Sequence, residues 1–515
     1  MTKEFAEVEV KTQPTIDGVD FTPSGELAQA NQGDSLAAPA STGISHWQLA
    51  HEQAVEYWLT EYQPQPNATN LEKLQGYLEA FHHCCAIEDW QRAREIIAIR
   101  LDTPTDEKIG YQLGTWGYYR QQIEYYQQSL IFCRAIGRPD FGVRVLANLG
   151  NAYHSLGEYR QAIEYHQQSL TIARKIGDRH GEGSDLTYLG NAYHSLGEYR
   201  QALEYHQQSL TIFRDIGARH GQGCVLLHLG NAYSSLGEYR QALEYHQQSL
   251  TIFRDIGTRH GKGCVLIGLG LAYHYLGEYR QALEYYQQSL TIFRDIGDRQ
   301  GEGISLLNLG YTYHFLGEYS QALEYHQQGL TISRKIGDRY GEGHSLENLG
   351  DTCHSLGDYR QAMKYLDQSL IVFREIGDRY DEGSILTNMG NVYHSLREYH
   401  QAIEYHQQSL TIFREIGSPY GEGRALGNLG KVLFNLEKYS ESLEYLQASL
   451  EIFRKIECRF FEAEVLEQLA KFYQKLCDLE QTLKYCNQAL AIATELGIAL
   501  AKECQELKEK LLSGE

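Results

Sequence analysis

Leu196–Gly217 reads LGEYRQALEYHQQSLTIFRDIG, and Leu236–Gly257 repeats it without a change. Working outward, the same pattern recurs every 40 residues with no insertion or deletion over most of the chain. A glycine follows a leucine, or once a methionine, at Gly150, Gly190, Gly230, Gly270, Gly310, Gly350, Gly390 and Gly430, and Ala470 takes the place in the last copy. Periods of this length mark stacked helical units. Leu186, Leu189, Tyr193 and Leu196 fall three and four apart, as one face of a helix requires. Gly197 interrupts them. From Tyr199 the spacing resumes through Ala202, Leu203, Leu210, Phe213 and Ile216, a second amphipathic helix.

The unit's boundaries are written in its turn chemistry. Gly217 stands where a left-handed helix stop needs a residue without Cβ. Asp178, Thr258, Asp298, Asp338, Asp378 and Ser418 occupy one equivalent position and are predicted N-caps, with Ala218 the exception. Pro139 and Pro419, seven units apart, fall one residue later, where a helix tolerates proline because that N–H has no helical partner. Gly190 and Ala202 are expected at the crossing of the two helices. Tyr193 and Tyr199 are expected to lay flat rings across the pair with their hydroxyls near solvent.

LGNAYHSLGEYRQALEYHQQSL resembles the tetratricopeptide repeat. The 40-residue unit and its GDRHGEG-type connection are similar to the Pins/LGN (Partner of Inscuteable) subtype, over about residues 110–496. The resemblance implies an all-α, right-handed α-solenoid of antiparallel helix pairs. The expected organisation is a disordered tail over 1–45, a divergent helical region over 46–103, about ten helix pairs over 104–496 and a capping helix over 497–515. In that last helix Leu500, Cys504, Leu507 and Leu511 share a face, closing the array as terminal units must. HWQLAHEQAVEYWLTEY and LQGYLEAFHHCCAIEDWQRAREII resemble helices that precede repeat arrays in STAND-type signalling ATPases, whose nucleotide-binding part has no counterpart here.

The composition narrows the function. Among 515 residues, 46 basic side chains face 67 acidic ones, a net charge of −21, which argues against nucleic acid as a partner. No stretch is long and apolar enough to span a membrane, and the first 20 residues lack the basic start and apolar centre of an export signal. Ten cysteines without a CxxC then read as reduced thiols, and a cytoplasmic location is expected. No phosphate-binding GxxxxGK[ST], GxSxG or HExxH appears, so no enzyme activity and no cofactor are expected. The GEG runs at 181–183, 301–303 and 341–343 are read as turns. His82, His83, Cys84 and Cys85 are consecutive, so on a helix they point around its circumference and no metal site is expected.

In a solenoid the first helix of every unit lines the concave side. There the pattern places Arg144, Asn148, Asn151 and His154, then Asn191 and His194, Asn231, Asn308, Asn348, Asn388 and Asn391, and Arg424 with Asn428. Each amide offers one acceptor and two donors, so such a ladder pairs with the backbone of an extended protein or peptide segment. The same asparagines also suit a hydrogen bond within the array. The Pins/LGN resemblance implies a groove that receives acidic segments on arginine and asparagine, although only Arg144 and Arg424 match its arginine position. The histidine series is expected to be solvated in the groove, while His166, His206, His246, His326 and His406 on the second helix are expected to pack. The reading that follows is a non-catalytic adaptor for protein segments. The alternative is a ligand-sensing module of a STAND-ATPase or caspase-like effector system.

Overall fold

Each 40-residue unit is an antiparallel helix pair. Arg179–Ser195 and Tyr199–Asp215 form one, and nine such pairs run in register from Pro139 to Leu496. The computed structural model describes residues 45–65, 68–101, 108–498 and 500–513. The tail expected over 1–45 therefore lies outside the described residues except for Ser45. Helices Asn70–Ala86, Trp90–Ala98, Ile109–Thr115 and Tyr119–Ala135 precede the regular pairs, and Leu500–Ser513 follows them. Among the described residues no helix is long and apolar enough to cross a membrane.

The turn chemistry acts largely as the residues dictate. Asp178 accepts a bond from Gly181 N, and Asp298, Asp338, Asp378 and Ser418 do the same in their units. Thr258 is a correction: its side chain makes no cap bond. Gly217 takes φ +67°, in the left-handed region. The GEG runs also need correcting, because Gly181 and Gly183 lie inside the first two helical turns rather than in a connection. A Cβ on Gly183 would sit 2.9 Å from the Phe213 ring, so these glycines admit the aromatic ring of the second helix.

Three devices repeat along the array. His166, His206, His246, His326 and His406 are buried, and each lies beneath the glycine of the facing helix. A buried serine of the second helix donates to a carbonyl of the first, as in Ser169 to Val143 O at 2.9 Å and Ser249 to Gly223 O at 2.7 Å. Between units, Arg294 Nε and Arg299 Nη1 grip the nearly buried Glu302 at 2.8 and 2.6 Å, and Arg334, Arg374, Arg414 and Arg454 repeat the first contact. Tyr193 lays its ring across the pair as expected, stacking on Tyr205 of the second helix at 5.2 Å. Tyr199, expected near solvent, is instead buried against residues far along the chain, in one apolar cluster with Phe453 and Val465.

That last contact belongs to a seam. Within residues 50–515 the solenoid completes a turn in about six units, and its successive turns touch. Tyr159 meets Tyr380 with ring centroids 5.9 Å apart. A Cβ on Gly157 would lie 3.2 Å from Tyr380 N, and one on Gly377 would lie 3.1 Å from Leu156 Cδ2. Arg200 pairs with Glu457, and Cys458 Sγ faces Ser235 O at 3.9 Å. Leu156, Leu196 and Leu236 are buried in this joint. Replacing Tyr380 and Tyr420 together by aspartate should open it, because two charges would lose hydration against apolar surface. The expected readout is a larger radius of gyration in X-ray scattering, with the helical circular dichroism retained.

Candidate functional site

The helices beginning at Arg179, Arg219, Arg259 and their equivalents touch one another from unit to unit, whereas the second helices mainly contact the first helices on either side. The first helices therefore line the inside of the curve. The seam walls this inner face off from the side where the turns meet, so the open groove expected from sequence is a lumen there.

Asn148, Asn151, His154, Asn191, His194, Asn231, Asn308, Asn348, Asn388, Asn391, Arg424 and Asn428 are all half-buried on first helices, and Arg144 is exposed. They divide by what they touch. Asn308 Nδ2 donates to Ile304 O of its own helix at 2.8 Å, and Asn388 Nδ2 donates to Glu347 Oε1 at 3.0 Å. Among the described residues the side-chain amides of Asn191, Asn231 and Asn391 make no hydrogen bond to protein. Arg144 and Arg424 lie over the rings of Phe141 and Tyr420, at 5.4 and 5.9 Å.

The histidines link units instead of standing free in solvent. His154 Nε2 meets Ser195 Oγ at 2.8 Å, and His194 meets Ser235 and His354 meets Ser395 at the same distance. Each bond spans 41 residues, one unit and one position, so the series pins adjacent first helices together. Burial lowers the imidazoles of His154 and His194 to about 4, which keeps them neutral through ordinary pH. At the other end of the chain, His82 Nδ1 meets Gln128 at 3.1 Å, His83 Nδ1 meets His51 at 2.8 Å, and Cys84 is buried. These neighbours diverge to separate partners, as four consecutive helical residues must.

The inner-face pattern runs on through Tyr311, His344 and Asp351 at the centre of the lumen, and sequence reasoning missed the contacts they make. There the asparagine column gives way to aromatic rings: His274 packs against Tyr311 and Phe315, both at 4.9 Å, and Tyr275 stacks on Tyr239 at 5.5 Å. One unit further, His344 is held between Glu347 Oε2 at 3.0 Å and Asp381 Oδ2 at 3.3 Å. Burial pulls its pKa down, but the two carboxylates outweigh that and hold it well above the usual imidazole range. Burial and the nearby Glu347 raise the Asp351 carboxyl to about 8, against a smaller opposite pull from Arg424. The signal in the sequence was the loss of the repeat's own residue at these positions, Glu347 and Asp351 among them, rather than any motif.

Stacked helix pairs with a polar, ring-lined inner face define an α-solenoid repeat scaffold. The tetratricopeptide repeat model matches residues 123–175, 142–215, 221–295, 301–375 and 381–455, more than half of the chain, which therefore belongs to the tetratricopeptide repeat family. No curated protein matches the chain. Among solved structures it is similar to a Rap protein complexed with competence and sporulation factor, with 15% identity and a TM-score of 0.46 over 69% of this chain and 98% of the other. It is also similar to the apo quorum sensor NprR from B. thuringiensis, with 13% identity and a TM-score of 0.43 over 74% and 99%. A third is a Signal Transduction ATPase with Numerous Domains protein, carrying a tetratricopeptide repeat sensor, from Pyrococcus horikoshii. It shows 13% identity and a TM-score of 0.41 over 81% of this chain and 66% of that one.

Proposed function

We propose that the chain is a non-catalytic scaffold that takes an extended protein or peptide segment along the inner face of its first helices. One observation carries this reading: Asn191, Asn231 and Asn391 hold half-buried amides, without a protein partner among the described residues, at one equivalent position of the repeat, the first two in successive units and the third four units further on. These amides are reachable from the inner face, and a peptide backbone laid past them supplies both donor and acceptor. Asn308 and Asn388, which bond within the protein, are assigned to the array itself. The 40-residue unit and its connection favour the Pins/LGN-like subtype. The acidic residues beside Arg424, namely Glu347 and Glu464, disfavour an acidic segment at that point. A cytoplasmic location fits the cysteine usage.

The test begins by selecting peptides on the wild-type chain from a random-sequence library. A variant carrying Asn191→Ala, Asn231→Ala and Asn391→Ala is expected to keep its melting temperature and to bind the selected peptides at least tenfold more weakly. Asn308→Ala is expected to do the reverse, lowering stability by about 1 kcal/mol with affinity retained. Equal binding by the triple variant would sink the assignment.

A further inference from the structure

The seam joins two kinds of edge. One is the turn between the two helices of a unit, which presents a leucine and a glycine; the other is the turn between units, which presents an isoleucine and a glycine. Where they meet, Leu156 is 4% exposed and Ile376 is 4% exposed. Both edges continue past the seam with nothing on them among the described residues. On the second turn of the solenoid, the leucine edge leaves Leu316 and Leu356 at 38% and 51% exposure. On the first turn, the isoleucine edge leaves Ile176, Ile216 and Ile256 at 39%, 39% and 37%. A Cβ added at Gly317, Gly357, Gly177, Gly217 or Gly257 would meet nothing within 4 Å, whereas the seam glycines Gly157 and Gly377 are covered.

We propose that these two edges are the unjoined halves of the seam, and that a second copy of this chain docks on them. The Leu316–Leu356 edge of one copy sits on the Ile176–Ile256 edge of the next. The argument is continuity. Within one chain, leucine edges already bury themselves on isoleucine edges about six units away. The free edges repeat the same residues, face opposite ends of the solenoid and are therefore head-to-tail complements. A heterologous contact of this kind does not close on itself, so it builds open chains of copies.

The joint is weaker than the seam, and the sequence shows why. Tyr380, Tyr420 and Phe460 stand on the isoleucine edge where it lies in the seam, and His180, His220 and His260 take their place where it is free. The leucine edge is also limited, because Arg397 and Glu437 replace the turn glycine beyond Gly357. Association is therefore concentration-dependent.

Sedimentation velocity tests this on the full chain. The wild type is expected to shift to larger species as concentration rises, and His180→Tyr with His220→Tyr is expected to lower the concentration needed by about tenfold. A Leu316→Glu/Leu356→Glu variant and an Ile176→Glu/Ile216→Glu variant are each expected to be monomeric. Mixed one to one they should form a heterodimer and nothing larger, since each keeps the edge the other lacks. All four residues are exposed and lie outside the seam, so the fold should survive, with circular dichroism as the check. A wild type that stays monomeric at every concentration overturns the proposal. So does association that persists in either single-edge variant alone, or a mixture that fails to pair.

Discussion

Replacing Asp185 by valine is expected to stabilise the second regular unit by up to about 4 kcal/mol at pH 8, at 1.36 kcal/mol for each unit of pKa shift. Asp185 is 1% exposed, and neither carboxylate oxygen has a hydrogen-bond partner. The neighbouring Ser169 hydroxyl donates to Val143 O instead. Burial therefore raises the carboxyl to about 7, against a smaller downward pull from Ser169 and with a lesser repulsion from Asp178. Because the folded pKa is the higher one, the native state holds a proton that the unfolded chain has released between about pH 4 and pH 7. Stability is consequently greatest below that window and falls as pH rises through it. The replacement fits, since Val145, Val225, Val265 and Val465 occupy the equivalent position and are buried there. Hydrogen exchange of the helix Arg179–Ser195, followed from pH 5 to pH 8, is the measurement. The wild type should lose protection over that range beyond the intrinsic rate change, and Asp185→Val should not.

The second large effect is a loss. Gly390→Ala is expected to destabilise its unit by about 3 kcal/mol, the upper end for overpacking a tight core. A Cβ at Gly390 would stand 2.6 Å from His406 Cε1, and that ring is 1% exposed and cannot swing aside. The gain in helix propensity from glycine to alanine, about 1 kcal/mol, does not offset this. The chain carries its own remedy in the last unit, where Ala470 replaces the glycine and the smaller Cys486 replaces the histidine beneath it. The double variant Gly390→Ala/His406→Cys should thus recover most of the loss. Urea denaturation of the two single variants and the pair measures the coupling directly.

These cases show what the sequence carried. The helix bounds were legible because glycine, proline and capping residues recur at fixed offsets, and Pro139 and Pro419 start their helices as read. The glycine was legible as a point of close approach and His406 as a packing residue, but the repeat pattern set Gly190 against Ala202 of its own unit and did not show that an imidazole lies beneath the glycine. The inner face was legible as a set of residues, because three-and-four spacing assigns faces without knowing the curvature. Which asparagines are already spoken for was not: Asn388 bonds to Glu347, 41 residues away, and a single unit says nothing about its neighbour's side chains. The histidine pins escaped for the same reason.

Nor was the seam legible from the repeat. It depends on the accumulated rotation of about six units, which small packing angles decide. A trace of it lies in the departures from the repeat, where Tyr380, Tyr420 and Phe460 replace the histidine of earlier units. Without the curvature, those aromatics read as drift between copies.

The closure of the solenoid on itself decides whether the inner face is a groove or a lumen, and one cross-link reports on it. A photoreactive benzophenone side chain placed at Arg200, which pairs with Glu457 across the seam, can be activated in dilute protein and its products mapped by mass spectrometry. Capture of the Glu457–Arg459 turn of the same chain is the predicted result. Capture confined to neighbouring units of the first turn would contradict the seam and the lumen it creates.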